Sequence, residues 1–561
     1  MLSLTKKALC VICLGLIGCG GDPAAVAPDS GVSDLAQRAG APLFEGMGAF
    51  HMPVTTADPD AQRYFDQGMV LAFGFNHAES IRSFRAAQTL DPLCAMCFWG
   101  EALATGPNIN VTSNGKAIMS ADERVGARAA IDKALGLLEG LTEKEQDWIL
   151  ALDQRYDGDP ESPREPLDRA WADAVGAMAK QYPDDTTVAS IYAEALMNTM
   201  PWDYWGPSGE AKLDTQAVIA SLERVMVADP DHPLALHLYI HALEASSNAQ
   251  KAEAAADQLS DLVPASGHLV HMPSHIYFRV GRYQDSALAN IRAAEVDEAY
   301  IAQCNAQGFY PALYYPHNIH FLWASATMQG QSALSLESAR RVVANVRIEQ
   351  VEQFPTIQFF RTVPMLSLVR FARWEEILTE PEPHAPFAFA RAIWHYGRGV
   401  AYAATAQPEL AMAELDAIVA LEPDVDEIFM GNVYPAKDLL DIAKALLRGE
   451  LAYRQANAAE AVEHFAEAVA LQDALPYTEP PFWYYPTRQS LGAALLADGR
   501  AEEAQAVFEA DLEQYPMNGW STFGLARAMS VQGDEAGAKK VRDRFQRLWQ
   551  FADVTLNTSI L

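Results

Sequence analysis

A period of about 34 residues, marked by small residues, one aromatic and a closing proline, constrains this chain more than any other feature. The stretch 61–94 carries Gly68, Phe84, Ala87 and Pro92. The stretch 392–425 carries Gly399, Tyr402, Ala411 and Pro423. Residues 442–475 repeat the pattern with Gly449, Ala461, Phe465 and Ala468, and 485–518 with Gly492, Ala504, Phe508 and Pro516. A last copy opens near 517 with Trp520, Gly524 and Ala536. Apolar residues within each stretch recur at helical spacing, and no run of alternating β-branched residues stands out. Small residues let two helices approach closely, and the proline ends the second. The pattern predicts an all-α chain of helical hairpins stacked as a solenoid.

The frame continues through the centre. Residues 233–266 fit it with Ala252 and Pro264, 267–300 with Tyr277, Gly281 and Ala293, and a third hairpin runs from Pro316 with Gly330. Gly106–Ser120 and Met200–Leu213 interrupt it as insertions, which in such arrays map to one edge and line binding surfaces. The whole pattern resembles the tetratricopeptide repeat, in which the first helix of each hairpin lines a concave groove. One helical face there is spaced i, i+4, i+7. His237, His241 and Glu244 fall on that face of one hairpin, His268, His271 and His275 on the next, and His317 and His320 on the third. Counting from Pro183, Glu194 takes the same place one hairpin upstream. His232, in the DPDHP turn, falls outside the strip.

Imidazole ligates Zn, Cu and Fe, and a pair at i, i+4 on one helix reaches a single ion. His237 and His241 have that spacing, with Glu244 one turn on. His271 and His275 share it on paper, but Pro273 lies between them and is expected to break the helix, leaving His271 in an entry turn. The strip predicts a site in which Glu194 or Glu244 serves as base to a metal-bound water, or in which an open metal position handles oxygen. The alternative is structural: groove histidines that hydrogen-bond to Tyr or Glu, or stack on aromatics. His51, His77, His384, His395 and His464 belong with that alternative. Trp202, Asp203, Tyr204, Trp205, Arg279, Tyr314 and Tyr315 are the expected ligand contacts. No G-x-S-x-G elbow, P-loop or dinucleotide fingerprint stands out.

The N-terminus reads as an export signal. Lys6 and Lys7 precede the apolar run Ala8–Ile17, too short for a stable membrane span. Leu16-Ile17-Gly18-Cys19 looks like a bacterial lipobox, which implies cleavage before Cys19, acylation of its sulfur and anchoring to a membrane, the outer membrane in particular. The expected divisions are a leader at 1–18, a flexible tether at 19–42, hairpins with insertions at 43–231, histidine-rich hairpins at 232–391 and repeats at 392–555. Export implies an oxidising compartment. Cys94 and Cys97 in CAMC then read as a disulfide or as buried thiols ahead of a metal pair, and Phe98 in place of His excludes a c-type haem site. With 41 basic against 73 acidic residues the net charge is −32, which disfavours nucleic acid as a partner.

GPNIN, PWDYW, HMPSHIYFRVGRY, YYPHNIHFLW and EPPFWYYPTRQSLGAALL resemble a family of bacterial exported tetratricopeptide-repeat proteins, over roughly residues 55–555. The resemblance implies the solenoid fold and carries no established reaction. Two functions stay open. One is a lipid-anchored array that binds a protein, peptide or small molecule in its groove. The other is a metal-binding protein or metal-dependent enzyme, hydrolytic or oxidative.

Overall fold

A computed structural model describes residues 30–110, 119–206, 208–304, 306, 310–353, 355–425 and 434–561. The expected leader and the expected acylation at Cys19 lie outside the described residues. Among those described, helix follows helix, and the β-type pairing is an isolated bridge between Trp205 and Ala211. The described residues form an all-α array of helical hairpins stacked as a solenoid. None of the described helices is long and apolar enough to cross a membrane.

The period has a direct physical cause. Phe508, on the helix Ala501–Gln514, is fully buried between the helices Arg488–Ala497 and Gly519–Val531. A Cβ on Gly492 or on Gly524 would stand 2.3 Å from its ring. One phenylalanine thus fills the space left by a glycine in its own hairpin and a glycine in the next. Phe84 repeats the wedge between Gly68 and Gly100, and Phe465 lies against Gly449. Each such ring contributes about 1.5–3 kcal/mol of burial.

The array curls back on itself, and the central hairpins are enclosed from both ends. On the N-terminal side, Ala265 N–H donates to the Gly46 carbonyl at 3.0 Å, and the Phe50 ring meets His232 at 5.5 Å. On the C-terminal side, Trp520 Nε1–H donates to the Thr327 carbonyl at 3.1 Å, and Asp553 accepts from the backbone N–H of Ser332 and Ala333. Core clusters run from Leu35 to Tyr314 and from Phe278 to Ala528, across both expected internal boundaries. Cys94 and Cys97 are joined by a disulfide at the start of the helix Ala95–Thr105.

Pro273 does not end the histidine helix. Gly267–His271 and Pro273–Arg279 are joined through Met272, whose φ of −52° and ψ of −38° are helical. Loss of the proline N–H is absorbed by i→i+3 bonding, with His275 N–H donating to the Met272 carbonyl at 3.2 Å. His271 therefore stays on the same face as His275, not in an entry turn.

Candidate metal centre

The helix Pro233–Glu244 begins on a His232 cap, whose ring accepts from Ala235 N–H, and is buried along its whole length. Spacing i, i+4 points His237 and His241 the same way, with ring centroids 4.8 Å apart. The next hairpin brings His268 to 5.0 Å from His237. Each of these rings has its second nitrogen accounted for or left bare in a telling way. His237 donates Nδ1–H to the Phe73 carbonyl at 2.7 Å, and His241 donates Nδ1–H to Glu244 Oε1 at 2.6 Å. Those bonds fix both tautomers and leave both Nε2 atoms as lone pairs. Among the described residues neither Nε2 has a hydrogen-bond partner, and neither nitrogen of the buried His268 has one. Nitrogen atoms of the three lie within 4.8 Å of one another. Tying one imidazole nitrogen to an oxygen so that the other faces a common point is how proteins orient metal ligands.

Burial pushes His237 and His268 well below the ordinary imidazole range, and pulls His241 down against the opposing pull of Glu244. Neutral imidazole is the form a metal takes.

A second set adjoins the first. His271 donates Nδ1–H to Asn290 Oδ1 at 2.6 Å, and its Nε2 stands 2.8 Å from His275 Nε2. His275 Nδ1 is 2.5 Å from Glu244 Oε2 and 2.9 Å from Glu479 Oε2. Burial opposes charge on His275, but the two carboxylates outweigh it and push the ring up to about 10. Burial alone would raise Glu244; the His275 and His241 rings hold it well below the carboxylate range. Glu479 is pushed up by burial and by the Glu244 charge. His317 packs 4.9 Å from His271.

These groups border a cavity of about 230 Å³, walled by Trp202, His241, His268, His275, Tyr314 and His317, with aromatic rings behind. The segment Pro476–Phe482 forms a further part of its wall. Trp202 and Tyr314 thus stand where ligand contacts were expected. Trp202 Nε1–H donates to Asn110 Oδ1 at 3.1 Å, so the two insertions meet at the cavity edge. Tyr314 closes the π-helical turn Tyr310–Tyr314, an irregularity frequent at functional sites.

Other expectations fail for visible reasons. Glu194 joins none of the converging groups; the Arg155 charge acts on it, and burial pushes it up to about 7. Glu244 does not face the cavity, since both its oxygens are held behind the rings. His320 lies on the cavity wall but stacks on Trp323 at 5.0 Å, and burial lowers it to about 3. Asp203 is exposed and paired with Lys212. Tyr204 is buried away from the cavity, Trp205 Nε1–H donates to the Ala242 carbonyl at 2.8 Å, and Tyr315 donates to Glu298 at 2.5 Å. Arg279 lines a neighbouring space of about 190 Å³ and donates to the Ser246 carbonyl.

Two residues central to the site carried no functional signal in the sequence. Glu479 sits in the EPPFWYYP segment, more than 150 residues after the last histidine of the strip. Phe75 holds its ring 4.6 Å from His237 and 5.3 Å from His268. Its φ of +56° is a left-handed conformation costly for a non-glycine residue, of the kind that concentrates at functional sites.

No protein family and no curated protein matches the chain. Among solved structures, the human IFIT1 dimer with m7Gppp-AAAA is 11% identical, covering 94% of this chain and 96% of that one at a TM-score of 0.31. The APC/C hetero-tetramer Cut9-Hcn1 is 13% identical, over 87% of this chain and 73% of that one, at 0.29. Yeast Tom70 is 12% identical, over 87% and 93%, at 0.27. Likenesses at such scores carry no argument about function.

Proposed function

We propose that this chain is a metalloprotein, with one first-row transition-metal ion held by His237, His241 and His268 at the wall of a cavity that takes a small molecule. The observation that carries this is the set of converging, buried imidazole nitrogens without partners. A buried polar atom left unpaired costs roughly 1–3 kcal/mol. A coordinated ion removes that cost. Three neutral nitrogens suit Zn, Cu or Fe and do not suit Mg or Ca, which take oxygen. An ion there supplies a Lewis acid and an acidified water. Of the two buried glutamates beside it, Glu479 is the one on the cavity wall and so the one placed to hold or move a proton. A space of about 230 Å³ backed by aromatic rings suits a small ligand better than a peptide. Repeat arrays commonly bind protein partners as well, on their extended concave surfaces.

Metal analysis of tag-free protein tests this. A transition metal near one equivalent, retained through dialysis and lost in His237→Ala and His268→Ala, supports it. Sub-stoichiometric metal, with no uptake of added Zn, Cu or Fe, refutes it.

We also infer export and anchoring through an acylated Cys19, on the strength of Lys6–Lys7, the apolar run and the Leu16–Cys19 sequence. Labelled palmitate should enter the wild type and be absent from Cys19→Ala; equal labelling of both refutes it.

A further inference from the structure

Six of the seven histidines on the strip fall into two triplets. In the first, His237 lies 4.8 Å from His241 and 5.0 Å from His268, ring to ring. In the second, His271 lies 4.7 Å from His275 and 4.9 Å from His317. The triplets abut, with His241 5.7 Å from His275 and His268 5.9 Å from His271.

The second triplet orients its rings as the first does, but its two Nε2 atoms share a hydrogen bond, so an ion there would displace the proton between them. Asn290 is oriented by its own Nδ2–H, which donates to the Ser286 carbonyl at 2.8 Å, so its Oδ1 receives His271 Nδ1–H. Glu244 receives His275 Nδ1–H. Both Nε2 atoms are thereby turned toward each other, 2.8 Å apart. Two nitrogens on one tetrahedral ion, each about 2.0–2.1 Å from it, stand about 3.3 Å apart. Half an ångström of ring movement therefore admits an ion. His317 reaches the same place from the helix Tyr315–Met328, on the cavity wall.

We infer that the centre is dinuclear: a second divalent transition-metal ion binds between His271, His275 and His317, beside the first and facing the same cavity. Glu244 links the two ions, since one of its oxygens orients His241 of the first triplet and the other His275 of the second. It is a positioning residue for both. Two ions on one cavity wall take a small oxygen donor able to bridge them.

This rests on the reading of His237, His241 and His268 as a metal site, and a count of ions separates the two. The mature chain, without an affinity tag, is stripped with chelator, loaded with Zn²⁺, dialysed, and counted by elemental analysis and native mass spectrometry. Two ions per chain are expected in the wild type, one in His317→Ala and one in His268→Ala. His317→Gln, which keeps bulk at the cavity wall, should give the same count as the alanine variant and serves where that variant fails to fold. One ion in the wild type overturns the dinuclear centre and leaves the first site standing. No ion overturns both. Two ions retained in folded His317→Ala or His317→Gln place the second elsewhere and overturn the inference.

Discussion

Replacing Glu244 by glutamine perturbs the centre at its hinge. The side chain is fully buried and accepts from His241 at 2.6 Å and from His275 at 2.5 Å. Glutamine keeps the shape and one acceptor oxygen, but its amide nitrogen must face the other ring. That ring has to offer a lone pair at Nδ1, which moves its proton to Nε2, the atom aimed at the ion. Whichever ring changes, one triplet loses a ligand. Loss of such an orienting partner costs about 10–100-fold in metal affinity, or about 1.4–2.8 kcal/mol. Competition titration of Zn²⁺ against a chelator, with circular dichroism to verify helix content, reads the effect. A Glu244→Gln variant that folds and binds Zn²⁺ within twofold of the wild type refutes the orienting role.

Glu194→Gln, by contrast, should leave Zn²⁺ affinity unchanged, because Glu194 stands with Arg155 and not with the histidines; a tenfold loss in the same titration would return it to the centre. Gly492→Ala should lower thermal stability by about 1–3 kcal/mol, since the new Cβ meets Phe508 at 2.3 Å, and an unchanged melting curve would contradict the glycine–phenylalanine wedge. Asp297 is buried between the Tyr310 hydroxyl and the Asn318 amide, and burial pushes it up to about 7. The folded chain then binds a proton that the unfolded chain releases near 3.8, so stability falls as pH rises across that window and levels off above about 7. Asp297→Asn lacks this slope and should gain on the wild type from about pH 4 to about pH 7 in denaturant titrations; a constant difference across that range would refute it.

The solenoid was legible because its signal is local. A glycine that must admit a phenylalanine, and a proline that must end a helix, appear within one period of each other. His237 and His241 were legible for the same reason, and the repeat frame carried His268, His271, His275 and His317 to one side. What was not legible depends on contacts across the chain. Glu479 arrives on a non-periodic segment whose position is set by closure of the array. Phe75 matters through a backbone angle that composition does not encode. Glu194 was misplaced because the frame gives a helix face but not the neighbouring charge, and it is Trp202, from the insertion, that stands beside His241 at 5.3 Å. Pro273 reads in sequence as a helix breaker, but helical geometry at Met272 lets the helix pass through it.

The central claim is the location of one ion, and anomalous diffraction from a crystal of Zn²⁺-loaded protein tests it most directly. A zinc-edge peak is expected about 2.0–2.1 Å from His237 Nε2, His241 Nε2 and a nitrogen of His268. Zinc found only on exposed carboxylates, with no peak among these three rings, would contradict it.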